Sequence, residues 1–329
     1  MKLPCPRGPL SAQLFAALAD AQEPDPRLRP ADEDDHQIAL WVLYELHYRG
    51  FDEVPDGREW DPALIDLRRG LEESFEADVR LLADPLTTAA RAESGDLAGQ
   101  LERIVGEPGP AQAAYLHRRA TREQFLEFLM LKSIYQLKEA DPHAWALPRV
   151  GGAAKVALAE LLYDEYGAGR PEALHQKLFA DALRDAGLDD SYGAYVDHAP
   201  AETLAVNNLM SMVGLNRRLR GACLGHLAAF EMTSSLPSRR FAQGADRLGI
   251  GAGAIRYFDE HVEADAVHEI LAVRSICASF VAAEPALHDD VLLGAAACVL
   301  LDARVAASSL DAWHSGGSAL RAPRRENVA

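Results

Sequence analysis

Apolar residues recur at three- and four-residue intervals along almost the whole chain, and runs of β-branched residues are absent. That pattern predicts helix nearly everywhere. The first clear helical stretch starts near Asp34 and includes Ile38-Ala-Leu-Trp-Val-Leu-Tyr-Glu-Leu46. A break rich in Pro, Gly and Asp around Val54 to Asp61 separates it from a longer helical run, Leu64 to Leu82. Glu107-Pro-Gly-Pro110 is the best candidate for a domain boundary. Beyond it, Ala111 to Ala140 is expected as one strong helix, stopped by Pro142 and the Leu147-Pro-Arg-Val-Gly-Gly152 loop. Further helices are expected at about 153–166, 172–186, 201–212, 217–235, 239–248, 252–282 and 285–308. The ends carry little periodicity. Residues 1–33 are expected as a mobile lead-in with a short helix possible at Ser11 to Ala21, and residues 311–329 as a disordered tail. The expected organisation is therefore all-α: a lead-in, an N-terminal helical region at 34–110, a helical domain at 111–310, and the tail.

Composition narrows the class. With 329 residues the chain can bury a sizeable core, and 49% hydrophobic with 25% charged residues marks a globular protein. A net charge of −17 argues against nucleic acid or an anionic membrane as partner, since an acidic surface repels both. No apolar run is read as reaching the roughly 20 residues needed to span a bilayer, and the N-terminus lacks the apolar core of a signal peptide. The four cysteines are far apart and form no CxxC. These features favour a reducing cytoplasm. Trp41, Leu43, Tyr44 and Leu46 form an apolar surface too large to leave in water. It is expected to pack on the following domain or on a second chain, with a homodimer preferred. A Rossmann fingerprint is absent: Gly249-Ile-Gly251-Ala-Gly253 lies between helices with no preceding strand.

The candidate chemistry lies in polar residues placed where apolar helix faces are expected. His261, Asp265 and His268 sit at relative positions 0, 4 and 7, within an arc of roughly 60° on one helix face. Two imidazoles and a carboxylate on one stripe are costly to bury without a cation among them. Ligands of these two types suit iron, manganese or zinc. The bland alternative is a solvated polar face. Glu231 lies in an apolar segment, where a salt bridge to Arg218 or Arg239 would also satisfy it. Glu139 closes the expected helix 111–140, where a surface glutamate is the ordinary reading. Glu165 precedes Tyr-Gly-Ala-Gly-Arg-Pro-Glu-Ala-Leu-His175, and a lone histidine such as His175 is commonly a satisfied core residue. Glu172 competes with Glu165 as the partner of His175, because ExxH places two ligands about 60° apart on an unbroken helix. Glu45 and His47, two residues apart, point in opposite directions and cannot share a metal. His117, His143, His198 and His226 lack a matching motif and are read as structural or surface residues.

Taken together, the Leu-Lys-Glu139-Ala-Asp segment, Asp-Glu165-Tyr-Gly…His175, Phe-Glu231-Met-Thr and His261-x3-Asp265-x2-His268 change the picture. Over about residues 111–308 the chain resembles the heme-oxygenase-like diiron oxidase and oxygenase superfamily, in particular the iron-containing redox enzymes. The resemblance implies a heme-oxygenase-like helical bundle with an N-terminal helical extension. By matching motif it implies Glu139, Glu165, His175, Glu231, His261, Asp265 and His268 as ligands of two Fe(II) ions in a non-heme diiron centre. It also implies dioxygen and a small organic molecule as reaction partners. Charge supports such a set: four carboxylates balance two ferrous ions, leaving a buried site neutral. The expected function is an oxidoreductase that activates dioxygen. The other readings are a metal-free enzyme of the same bundle and a non-catalytic binding protein.

Overall fold

In the computed structural model of the full chain, residues 1–20, 22–25, 27–93 and 95–322 are described, apart from the side chains of 263–267. The described residues form an all-α protein with no strand among them. Helices α1 (Pro9–Ala19) and α2 (Glu33–Glu45) are followed by the long α3 (Pro62–Arg91) and by α4 (Leu97–Val105). The buried stripe Leu64, Leu67, Leu71, Phe75, Val79, Ala83, Leu86 and Ala90 carries α3 past the expected end at Leu82 and through Pro85. Here a continuous apolar face outweighs one missing backbone hydrogen bond.

The helix expected at 111–140 is instead two, α5 (Gln112–Arg118) and α6 (Arg122–Gln136). Thr121 divides them. Its hydroxyl accepts from Gln124 N (3.3 Å), and the Gln124 side chain accepts from Thr121 N (3.0 Å), a reciprocal capping box. Glu139 therefore lies in a turn beyond α6 rather than at a helix end, and Ala140 follows it in the left-handed region at φ 69°. Next come the short α7 (Asp141–Ala144), α8 (Gly152–Glu165), α9 (His175–Asp185), α10 (Ala201–Leu215), α11 (Arg220–Met232) and α12 (Ser235–Leu248). Helix α13 (Ala252–Ile270) passes into a π-helical segment, Leu271–Cys277, then α14 (Ala278–Ala283), where one continuous α-helix was expected. Helix α15 (His288–His314) completes the fold.

The core is built around α11 and α15, which cross closely because Gly225 faces the Val291 carbonyl and Gly294 the Ala222 carbonyl. A β-carbon at either glycine would strike backbone. The segment Pro285–His314 is long and apolar enough, by length and composition, to cross a membrane, contrary to the sequence reading. Half of its most apolar stretch is buried, against α11, α3 and α10.

Both ends of the chain depart from expectation. In place of a mobile lead-in, α1 buries Leu10, Leu14 and Leu18. Asp35 of α2 accepts from Leu10 N, Ser11 N and the Ser11 hydroxyl, tying the two helices. The guanidinium of Arg7 is buried and donates to the carbonyls of Ala199 and Val196, each at 2.8 Å. At the other end, Trp313 is buried and donates to Glu127 (2.7 Å), and Arg321 N donates to the His198 carbonyl (2.8 Å). The expected disordered tail is thus docked as far as Arg321, and its last residues, 323–329, lie outside the described residues. Trp41, Leu43 and Tyr44 are covered by this chain's own residues, so the surface that motivated a homodimer is already buried.

Candidate metal centre

Six of the seven ligand candidates converge inside the bundle. Glu139 comes from the turn after α6, Glu165 is the last residue of α8, and His175 the first of α9. Glu231 lies near the end of α11, and His261 and His268 lie on α13. All six are buried. The side chain of Asp265 lies outside the described residues.

The six form two triads. Glu139, His175 and His261 each offer a ligand atom within 4.8 Å of the other two, as do Glu165, Glu231 and His268. Glu165 connects them: its Oε2 lies 3.0 Å from His175 Nδ1 and its Oε1 3.3 Å from His268 Nδ1. His268 Nδ1 is also 3.6 Å from Glu231 Oε2. Glu172, the rival for His175, is exposed on the loop before α9. That loop explains how residues ten apart meet. Gly167, Ala168 and Gly169 all have positive φ, so the chain turns sharply between α8 and α9 and the straight-helix phase no longer applies.

The donor set suits a metal by more than residue type. The buried Nδ1 atoms of His175 and His268 face carboxylate oxygens yet make no well-angled hydrogen bond. Nitrogens held this way, beside oxygens aimed into the same space, are arranged as ligands to a shared cation. In His261, Nδ1 lies 2.7 Å from the Tyr257 carbonyl. A carbonyl only accepts, so Nδ1 carries the proton. That orients Nε2 toward Glu139, 3.3 Å away. On the outer side of His268, Nε2 is 3.6 Å from Asp164.

The profile of the iron-containing redox enzymes matches residues 126–303, more than half of the chain. The chain belongs to the iron-containing redox enzyme family. It is an iron-dependent oxidoreductase on that ground. No curated protein matches it in sequence.

Electrostatics around the centre of this iron-containing redox enzyme follow from burying carboxylates among imidazoles. Burial alone would raise Glu165, but the imidazoles of His175 and His268 beside it hold it well below the carboxylate range. Burial lowers His268, and the adjacent carboxylates of Glu165 and Glu231 more than reverse this, to about 11. His175 is raised likewise, chiefly by Glu165 acting against burial. Without metal, imidazolium rings take the place of the cations that the carboxylates require.

Several residues around the centre carried no motif. Tyr257 donates to Glu139 (3.0 Å to Oε2), and Gln136 Nε2 lies 3.0 Å from Glu139 Oε1. For Tyr257 the signal was spacing, since it precedes His261 by four residues on the same face of α13; Gln136, at the end of α6 with Glu139 in the turn beyond, had none. His143 and His226, read as structural or surface residues, form a buried pair with Nε2 and Nδ1 3.1 Å apart. The pair sits between two spaces. His143 lines the narrow gap among Glu139, Glu165, Glu231 and His261, and His226 lines a larger cavity of about 670 Å³. Glu139 and His261 line both, so the large cavity opens directly onto one edge of the centre.

Proposed function

We propose that this protein is a non-heme diiron oxidase or oxygenase that uses dioxygen to oxidise a small organic substrate. The observation that carries the reading is the pair of buried Glu/His triads joined through Glu165 and open to one sizeable cavity. Glu139, His175 and His261 would hold one ion, and Glu165, Glu231 and His268 the other, with Asp265 kept in the proposed set on its motif. Two ferrous ions, when bound, supply the electrons and the open coordination positions that the reaction with dioxygen requires.

The chain's own residues do the rest. Glu139 is held by Tyr257 and Gln136, which fix its oxygens and leave it little freedom to swing into the cavity. Tyr257 keeps its proton, since burial and the neighbouring Glu139 push its phenol well above the usual value, so it remains a donor to that carboxylate. Apolar walls, including Phe128, Phe179 and Phe258, exclude water from the space where the substrate would lie. Burial strengthens every charge interaction at the centre in the same way. The cavity holds a small molecule rather than a polymer. The free cysteines, three of them buried, fit the reducing compartment proposed for the protein.

Anaerobic reconstitution with ferrous ion, followed by metal analysis, tests the reading directly. About two irons per chain are expected, and Asp265→Ala should bind less while keeping its helical content. Wild-type protein that retains no iron, or binds it without His261 and His268, would sink the proposal. Oxygen uptake with candidate substrates then separates catalysis from storage.

A further inference from the structure

The large cavity carries charged side chains besides those of the candidate centre. Its wall includes Lys132 and Arg240 as cations and Asp302 as an anion. Glu107, another wall carboxylate, is already paired with Arg103 at 3.2 Å. Among the described residues Lys132 and Asp302 have no ion pair, with each other or with a third group, although they face one space from α6 and α15. Two opposite charges that share a wall without closing on each other leave room for a ligand carrying both signs. The remaining wall combines aliphatic and aromatic side chains, among them Phe128, Phe241 and Phe258, with a few neutral polar ones such as Thr203 and Asn207.

Distance along α6 sets the orientation. Lys132 lies four residues, about 6 Å of helical rise, before the end of α6 at Gln136, and Glu139 lies in the turn beyond that end. Helical side chains lean toward the N-terminus, and the Lys132 ammonium lies 6.0 Å from the centre of the Phe128 ring, one turn back. The ammonium therefore points away from Glu139 and His261. From this geometry we propose that the cavity binds an α-amino acid with a large apolar side chain. Its carboxylate meets Lys132 and its ammonium meets Asp302, while the far end of its side chain reaches toward Glu139 and His261. The reacting atoms then belong to the side chain, not to the amine or the carboxylate. That last step rests on the function proposed above; recognition of the head group does not. Burial raises the Asp302 carboxyl and the Lys132 charge opposes this, as expected for an acid awaiting a cationic partner.

Binding to the full-length, metal-free protein tests the inference without turnover. The probes are L-4-phenylphenylalanine, 3-(biphenyl-4-yl)propanoate, which lacks the ammonium, and 2-(biphenyl-4-yl)ethylamine, which lacks the carboxylate. By calorimetry the amino acid should bind at least tenfold more tightly than either analogue. Asp302→Asn should abolish its advantage over the propanoate, and Lys132→Met its advantage over the amine, with far-UV circular dichroism showing both variants folded. Equal affinity for all three probes, no binding of any, or a preference that survives both substitutions overturns the proposal. Iron stoichiometry is measured separately on the same preparations. Amino-acid binding without iron binding would leave the head-group site standing and remove the diiron reading; the reverse result would do the opposite.

Discussion

Each oxygen of Glu165 faces a different imidazole, so one carboxylate joins two triads that would otherwise be separate sites. Glu165→Gln keeps the shape, removes the charge, and replaces one acceptor by a donor. Iron content should fall from about two to below one per chain with helical content unchanged, as read by metal analysis and circular dichroism. Two ions retained by that variant would remove Glu165 from the ligand set. The pair His143 and His226 makes a second prediction at this scale. Burial holds both rings neutral, with His143 lowered to about 4 and His226 lowered as well. In the unfolded chain they titrate near 6.5. Between those values the unfolded state binds more protons, so stability must drop as pH falls from 6.5 toward 4, by about 1.4 kcal/mol per pH unit for each ring. Other groups titrate there too, so the check is a comparison. In urea unfolding between pH 6.5 and 5, a His143→Leu/His226→Leu double variant should lose less stability than wild type. Identical slopes would mean that the pair is not held neutral.

At the scale of elements, the link between α8 and α9 decides whether Glu165 and His175 meet. Gly167 there has φ 81°, and a β-carbon would crowd Leu174 N at 2.7 Å. Gly167→Ala should cost about 1–3 kcal/mol of stability and weaken iron binding, because the strain falls on the turn that sets one ligand against the next. A variant with unchanged melting temperature and unchanged iron affinity would show that the turn tolerates a side chain. The same turn shows what the sequence disclosed. Helix spacing alone favoured Glu172 as the partner of His175, and it was the family resemblance that pointed to Glu165 instead. Helix type and most helix positions were legible from periodicity because each helix buries one stripe. Three features were not. The Thr121–Gln124 cap lay inside a stretch apolar enough to read as continuous. The π-helical segment Leu271–Cys277 has no composition that sets it apart from α-helix. In α1, Leu10, Leu14 and Leu18 follow helical spacing, but flanking prolines masked a docking site that only the fold supplies. The charged wall of the large cavity was equally hidden, since Lys132 and Asp302 are 170 positions apart in sequence and meet only through the packing of the bundle.

Across the whole molecule, the boundary expected near residues 107–110 does not divide the hydrophobic core. One continuous cluster contains Trp41 and Phe75 as well as Leu209 and Val291. Helix α2 packs on α10 and α3 on α15, so the N-terminal helices complete the bundle that carries the candidate centre. A further link is polar. Glu45, read from sequence as a coincidental neighbour of His47, is fully buried 3.1 Å from Lys138 and also accepts from Tyr192. Lys138 adjoins Glu139, so the N-terminal region supplies the counter-charge for the segment that positions a proposed ligand. Losing one partner of a buried pair typically costs about 3–5 kcal/mol, because the other charge stays behind without compensation. Deleting residues 1–106 removes Glu45 and at the same time uncovers the apolar faces of α10 and α15. The truncated chain should therefore fail to give a soluble folded domain, and Glu45→Ala in the full chain should lower the melting temperature sharply. Sedimentation and circular dichroism decide the matter. A truncated protein that stays soluble, keeps its helices and still takes up two irons would mean that the family region folds by itself, with the N-terminal helices as an accessory layer.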